Sequence, residues 1–221
     1  MKGTTWLAPI ALALSLAHQT SVIQSTPENS AKQSARGAEK TKAPDWDFAL
    51  LDASGRKHTA REWKMARAVA LFFIGAECPI SNRYAPEINR IVAAYSTRGV
   101  AFYGVQSDPD TSAAAALRHA LDYGFDFPML LDPAQTLASR TGVILTPTAV
   151  ILSPAGELLY RGRIDDRNLD FGKYRDVGVK SDMRIALDAV IAGLPVPEKY
   201  TKPIGCALPP PAGQSTNHHA Q

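Results

Sequence analysis

Apolar and helix-like patterns alternate along the middle of this chain. Residues 68–74 are apolar at almost every position, which predicts a central strand buried on both faces. Residues 79–97 follow directly and place apolar side chains at helical spacing, which predicts an amphipathic helix. Residues 100–105 predict a second buried strand. This strand, helix and strand predict the centre of an α/β domain.

The neighbouring segments extend this pattern. Thr111 is the predicted cap of one further helix, and Ser181 is that of the last. Residues 153–156 read Ser-Pro-Ala-Gly and predict the turn of a β-hairpin. The further predicted elements are strands 48–51, 128–131, 148–152 and 158–163, and helices 111–123, 135–140 and 181–193. Together they predict an α/β fold with a central mixed sheet and helices on both faces.

The N-terminus has a different pattern. Lys2 precedes an apolar run over residues 6–17, and the small residues Ser15 and Ala17 stand before His18. This is typical of a secretory signal peptide over residues 1–17 and predicts export, periplasmic or extracellular. The alternative is an uncleaved anchor, although the run is about half of the ~20 residues that span a bilayer.

Composition divides the rest of the chain. Residues 18–44 are polar and predict a disordered linker, residues 45–197 hold the domain pattern, and residues 198–221 form a Pro-rich tail that carries Cys206.

The 221 residues are 45% hydrophobic and 20% charged, with a net charge of +3. No basic stripe is present, which argues against nucleic acid as a partner. The sequence has no Gly-rich phosphate loop and no Cys or His at ligand spacing from either cysteine, so no metal, flavin or nucleotide is predicted.

Cys78 is the first candidate for a reactive residue. It follows the buried strand and precedes Pro79, which is suited to the first position of a helix. There the positive end of the helix dipole favours a thiolate, the nucleophile that attacks disulfides and peroxides. Glu77 opposes this effect, and Arg83 is a candidate to offset it, although the sequence does not give the direction of its side chain. The alternative is a buried cysteine that only packs.

Thr146 and Pro147 form a second feature, immediately before strand 148–152. Pro147 is either the start of an edge strand or a cis-proline. In the second case its loop lies beside Cys78, with backbone groups free to pair with an extended substrate.

These features together resemble the thioredoxin superfamily. The strand 68–74, the Cys-x-x-Ser motif at 78–81, Thr146-Pro147 and the final hairpin are similar to its redoxin branch, which includes alkyl-hydroperoxide-reductase-type (AhpC/TSA) proteins and exported thiol-disulfide oxidoreductases. Residues 78–82, 160–167 and 202–206 resemble an exported bacterial group. The resemblance covers residues 45–194. It implies a thioredoxin-like fold, Cys78 as the attacking cysteine and Pro147 as the cis-proline. The expected partners are a thiol or disulfide protein, with a thiol protein or a small thiol as electron donor.

The chain departs from this family pattern at three positions. Glu77 and Ser81 stand where most thiol reductants of the family carry Trp and a second Cys, so the motif alone cannot close a disulfide. Gly75 stands where peroxiredoxins place a Thr that holds the peroxide. A hydroperoxide therefore stays an alternative substrate, beside disulfides.

Cys206 is the only other cysteine of the chain. Three interpretations stay open: it resolves an oxidised Cys78, it forms a permanent structural bond with Cys78, or it is a free thiol. For the charged string 161–167 a solvated turn is favoured over a lining of the Cys78 entrance, with Arg163 the candidate exception. The sequence thus predicts an exported redoxin that acts through Cys78; the alternative is a non-catalytic binding module with a structural Cys78–Cys206 bond.

Overall fold

A computed structural model describes residue 46 and residues 48–211. The strands, in chain order, are β1 (Ala49–Leu51), β2 (Lys57–Thr59), β3 (Ala68–Phe73), β4 (Val100–Gln106), β5 (Met129–Leu131), β6 (Leu145–Thr146), β7 (Thr148–Leu152), β8 (Leu158–Gly162), β9 (Asn168–Asp170), β10 (Lys173–Tyr174) and β11 (Cys206–Ala207). The α-helices are α1 (Pro79–Tyr95), α2 (Ala113–Tyr123), α3 (Thr136–Thr141) and α4 (Asp182–Ile191). Short 3₁₀ helices cover Ala60–Met65 and Ser96–Arg98.

The central sheet has five strands in the order β5-β4-β3-β7-β8. β3 lies in the middle, parallel to β4 and antiparallel to β7. β4 and β5 are parallel, and β7 and β8 form the predicted hairpin. All residues of β3 are fully buried, as its uninterrupted apolar sequence predicted, because both faces of this strand are covered.

Helices cover both faces of the sheet, as predicted. Alternate residues of β3 point to opposite faces, so Ala70 and Phe72 contact one core cluster while Leu71 and Phe73 contact the other. The first cluster is closed by α1, α2 and α4. The second is closed by α3, by Trp63 of the first 3₁₀ helix and by residues before it. The result is a thioredoxin-like α/β fold.

Some predicted boundaries need correction. Thr111 does not cap α2: the cap is Ser112, whose Oγ accepts a hydrogen bond from the Ala115 amide at 3.2 Å. Five short strands have no counterpart in the prediction. They are β2, β6, β9, β10 and β11, and each has only two or three residues. Segments this short contain no recognisable period of two.

The charged string is not a solvated turn, and that prediction is wrong. Arg163 Nε donates to Asp182 Oδ2 of α4 at 2.6 Å. Asp165 is only 2% exposed and accepts a hydrogen bond from the Tyr84 hydroxyl of α1 at 2.7 Å. Arg167 and Asp165 approach to 3.4 Å. These charges therefore hold the end of β8 to α1 and α4, and Arg163 is engaged with α4.

The predicted signal peptide 1–17 and linker 18–44 lie outside the described residues, as does the tail beyond residue 211. Within residues 46 and 48–211, no helix combines the length and the apolar character needed to cross a membrane.

Candidate active site

Cys78 occupies the junction between the central strand and α1. It is the N-cap of α1, Pro79 is the first helical residue, and the Asn82 amide donates to the Cys78 carbonyl at 3.0 Å. The Cys78 amide in turn donates to the Gly75 carbonyl at 3.1 Å, which closes a tight turn before the helix. The first amides of the helix lack acceptors within the helix, so the positive end of the helix dipole lies at Cys78. The predicted position of Cys78 at a helix N-terminus is confirmed.

Polar side chains hold the turn that precedes Cys78. The Gly75 amide donates to Ser81 Oγ at 3.2 Å, and Asn82 Nδ2 donates to the Ala76 carbonyl at 2.9 Å. Ser81 is only 1% exposed. The serine at the motif's fourth position is therefore a buried anchor of the loop.

His119 of α2 continues this network. Gln106 Nε2 donates to His119 Nδ1 at 3.3 Å, which leaves the His119 proton on Nε2, and Nε2 donates to Asn82 Oδ1 at 2.8 Å. A neutral imidazole satisfies both contacts. Burial lowers the pKa of His119, while the charges of Asp122 and Glu77 raise it in part, so the neutral form prevails at neutral pH.

The four residues that the sequence singled out lie together. The Thr146–Pro147 peptide is cis, and the Thr146 carbonyl oxygen lies 3.3 Å from Cys78 Sγ. Cys78 and Cys206 form a disulfide, with 6.1 Å between their Cα atoms. Cys206 stands directly opposite Thr146, because β11 pairs antiparallel with β6. Of the three interpretations of Cys206, the free thiol is wrong for this state of the protein.

The state of Cys78 decides what its contact with Thr146 means. In the disulfide the sulfur carries no proton, so the 3.3 Å approach to the Thr146 carbonyl is a van der Waals contact. Reduction supplies a thiol proton that can be donated to this carbonyl. The carbonyl is therefore a ready acceptor for the reduced, protonated form of Cys78.

The segment that carries Cys206 is held on both sides of the cysteine. On one side the Arg161 amide donates to the Lys199 carbonyl at 2.9 Å, and the Thr201 amide donates to the Arg161 carbonyl at 3.1 Å. On the other side the Leu208 amide donates to the Ile144 carbonyl at 2.9 Å. We call residues 202–211 the arm, since they follow the buried Thr201 and carry Cys206.

A cleft of about 160 Å³ opens beside the disulfide. Both cysteines line it, and so do Glu77, Ser107 and Asp108. Arg83 does not lie over Glu77, because its guanidinium stacks on the Tyr174 ring at 4.1 Å from the centroid. The cleft is therefore bordered by carboxylates. A larger cavity of about 600 Å³, beside Trp46 and Trp63, includes neither cysteine.

Within the described residues, no group of three or more His, Cys, Asp or Glu side chains is arranged to hold a metal ion.

Comparison with known proteins identifies the family of this chain. The model of the AhpC/TSA family matches residues 40–161, just over half of the 221 residues. The chain belongs to the AhpC/TSA family. It is also similar to the thiol-disulfide oxidoreductase ResA of Halalkalibacterium halodurans, with 26% identity over 114 residues, which is 51% of this chain and 62% of the relative. The chain thus spans about three fifths of the length of this curated relative.

Two solved structures are also similar to this AhpC/TSA-family protein. A hypothetical protein from Sinorhizobium meliloti 1021 superposes with a TM-score of 0.66 and 29% identity, over 75% of this chain and 92% of that one. A Chlorobium tepidum protein assigned as thiol:disulfide interchange protein DsbE has a TM-score of 0.52 and 22% identity, over 68% of this chain and 95% of that one. The second comparison shows the fold alone. The protein is thus a thioredoxin-fold member of the AhpC/TSA family.

Sequence reasoning did not find the whole of this family member's site. Asn82 lies inside the resembling string 78–82, but nothing in the sequence connected it to His119, which is 37 positions away. Gly205 was predicted only to suit a bent chain, and no pattern in the sequence indicated that its backbone lies against Thr146. Its place in the resembling string 202–206 was the one available signal.

Proposed function

We propose that this protein is an exported thiol-disulfide oxidoreductase whose working disulfide is Cys78–Cys206. The observation that carries the proposal is the position of that bond. One cysteine is the N-cap residue of a helix, and the other lies on a strand paired with the residue before the cis-proline. A thiolate at a helix N-terminus is stabilised by amides and dipole, so Cys78 is suited both to attack and to leave.

Oxidation of the reduced protein proceeds in two exchanges. The Cys78 thiolate attacks one sulfur of a substrate disulfide; a mixed disulfide forms, and the second substrate sulfur leaves as a thiolate that takes up a proton. Cys206 then loses its proton and attacks Cys78 Sγ. The Cys78–Cys206 bond forms, and the first substrate sulfur leaves and is protonated. The substrate gains two electrons and two protons, and the protein loses them.

Regeneration needs a thiol donor, a dithiol protein or a small thiol. Cys78 is 4% exposed, whereas Cys206 is half-buried. The donor thiolate therefore attacks Cys206 Sγ, and Cys78 leaves as the thiolate that the helix stabilises. A second donor thiol then releases Cys206 from the donor.

Two alternatives use the same residues. A hydroperoxide would convert Cys78 to a sulfenic acid, which Cys206 would condense to the same disulfide with loss of water. Gly75 has no side chain to hold a peroxide, which favours disulfides. In the other alternative the bond is permanent, and the domain is a binding module.

Export rests on the pattern of residues 2–17 and is tested by sequencing the N-terminus of protein recovered outside the cytoplasm.

The decisive experiment follows the two thiols of the full chain. Protein is reduced with dithiothreitol, freed of it, and mixed with glutathione disulfide or with hydrogen peroxide; intact mass and peptide maps are recorded over time. We expect glutathione disulfide to restore the Cys78–Cys206 bond rapidly and Cys206→Ser to stop at a mixed disulfide on Cys78. Cys78→Ser is the matched control and should form no adduct on Cys206.

The remaining outcomes separate the alternatives. Rapid closure by peroxide but not by glutathione disulfide, with a sulfenate on Cys78 in Cys206→Ser, would favour the hydroperoxide reaction. A bond that dithiothreitol leaves intact under native conditions would overturn the oxidoreductase proposal in favour of the binding module.

A further inference from the structure

The backbone edge beside Cys78 is already occupied by a strand of the same chain. β11 lies antiparallel on β6, with Cys206 opposite Thr146 and Ala207 opposite Leu145. The Leu208 amide continues this pairing by donating to the Ile144 carbonyl at 2.9 Å. An extended peptide that presents a cysteine to Cys78 would use the same backbone groups, since strand addition takes place along a free edge.

We infer that residues 205–208 are an internal copy of the substrate strand, so that the protein acts on extended polypeptides whose reactive cysteine directly follows a glycine. This inference rests on the proposed function and names its substrate class. The register of β11 defines what each substrate position must satisfy.

The position before the cysteine has no room for a side chain. Gly205 is buried, and a Cβ at this residue would collide with the carbonyl oxygen of Thr146. It would also come within 2.6 Å of the Thr146 carbonyl carbon and 3.1 Å of Pro147 Cδ. Real Cβ atoms do not approach backbone so closely, and neither Thr146 nor the proline ring can move without shifting the cis-proline loop. The requirement for glycine is one of space.

The positions after the cysteine differ from each other. The side chain of Ala207 is exposed, whereas Leu208 packs against the core cluster on the α3 side of the sheet. This alternation is that of a strand with one face buried. The copied sequence therefore reads glycine, cysteine, any residue and an apolar residue.

The arm and the substrate exclude each other along β6. In the reduced protein the arm must leave this edge before a substrate strand can pair there and form the mixed disulfide with Cys78. When Cys206 attacks Cys78 Sγ, β11 returns and displaces the substrate strand as its sulfur departs. The bonds at Thr201, with the Tyr160 hydroxyl at 2.7 Å from Thr201 Oγ1, hold the base of the arm.

The first test uses reduced Cys206→Ser protein, which stops at the mixed disulfide. Peptides that contain Gly-Cys-Ala-Leu or Ala-Cys-Ala-Leu, each carrying thionitrobenzoate on the cysteine, are supplied, and release of thionitrobenzoate is followed by absorbance. We expect the glycine peptide to react about tenfold faster, because the added methyl group overpacks the edge. A third peptide, Gly-Cys-Ser-Leu, changes the exposed position and should match the first.

The outcomes keep this inference separate from the proposed function. Equal rates for the glycine and alanine peptides, both well above that of free cysteine carrying thionitrobenzoate, would overturn the inference and leave the oxidoreductase standing. If the protein attacks none of the peptides faster than a free thiol in solution attacks them, the result would count against the proposed function itself.

The second test moves the same methyl group into the arm. In the full chain, Gly205→Ala should slow closure of the internal bond by about tenfold after reaction with a small disulfide, while the first attack by Cys78 keeps its rate. Lys202→Ala, an exposed change on the same arm, is the matched control. Closure at the wild-type rate in Gly205→Ala would contradict the spatial requirement.

Discussion

Reducing the Cys78–Cys206 bond changes stability by an amount that the length of the closed loop sets. The two cysteines lie 128 positions apart. In the chain-entropy description, a cross-link over a loop of this length lowers the entropy of the unfolded chain by the equivalent of about 5 kcal/mol at 25 °C. Reduction returns that entropy to the unfolded state and destabilises the folded protein.

The reduced state recovers part of this loss if Cys78 becomes a thiolate. An anion at a helix N-terminus is stabilised by about 0.3–1 kcal/mol at the surface and by up to ~2 kcal/mol where it is partly buried. We therefore expect reduction to lower the free energy of unfolding by about 3–4 kcal/mol. With a urea dependence of roughly 2 kcal/mol/M, the midpoint should fall by about 2 M.

The assay is equilibrium urea unfolding of oxidised and reduced protein, followed by tryptophan fluorescence. Cys206→Ser is the matched control: it should unfold at the midpoint of the reduced protein and should not respond to dithiothreitol. Coincident midpoints for oxidised and reduced protein would refute the loop-closure reasoning. A full loss of about 5 kcal/mol would instead show that the reduced site gains nothing from the helix.

Three further predictions concern charged and titratable groups. Burial raises the pKa of Asp52, but hydrogen bonds from Ser54, His58 and nearby amides outweigh it and lower the pKa to about 2. A lowered carboxyl pKa stabilises the fold above the unfolded value, so Asp52→Asn should lose about 2 kcal/mol at pH 7, measured by urea unfolding. The deficit should vanish as pH falls from about 4 to 2; a pH-independent deficit would contradict this origin. Glu77→Gln, in the Cys206→Ser background, should speed iodoacetamide labelling of Cys78 roughly threefold at neutral pH, because an exposed opposing charge is removed; an unchanged rate would show that solvent screens Glu77. Burial makes the pKa of His119 lower in the folded protein than in the unfolded chain, so the unfolded state takes up the proton at a higher pH. The free energy of unfolding should therefore decline as pH falls below about 6.5. His119→Gln should flatten this decline in thermal unfolding, and an identical slope would assign it to other groups.

The order of the main elements was predictable because each is encoded locally. β3 is apolar at every position, and α1 begins at a proline that directly follows its cap, so neither required knowledge of the rest of the chain. The β7–β8 hairpin was predicted from its turn residues for the same reason. Five of the strands of two or three residues were missed, namely β2, β6, β9, β10 and β11, since their pairing partners and not their own sequence make them strands.

The charged residues after β8 show the opposite case. A string of alternating charges is ordinarily solvated, and the sequence contains no sign that Asp165 meets the Tyr84 hydroxyl 81 positions away. Packing of α1 and α4 against the same end of the sheet buries these charges together. Burial is a property of the assembled fold, so composition could not predict it.

At the candidate site, the sequence alone determined where Cys78 stands and which residues flank it, because a strand end, a proline and a helix follow one another within a few positions. Only the tertiary structure decided that Cys206, 128 positions away, is bonded to it and that β11 occupies the edge beside the cis-proline. Cys206 is the only other cysteine, and a loop of that length closes at a tolerable entropic cost, so the sequence allowed the bond without deciding that it forms. The bond depends on the free backbone edge of β6 and on the space that Gly205 leaves open, and both exist only once the sheet has formed.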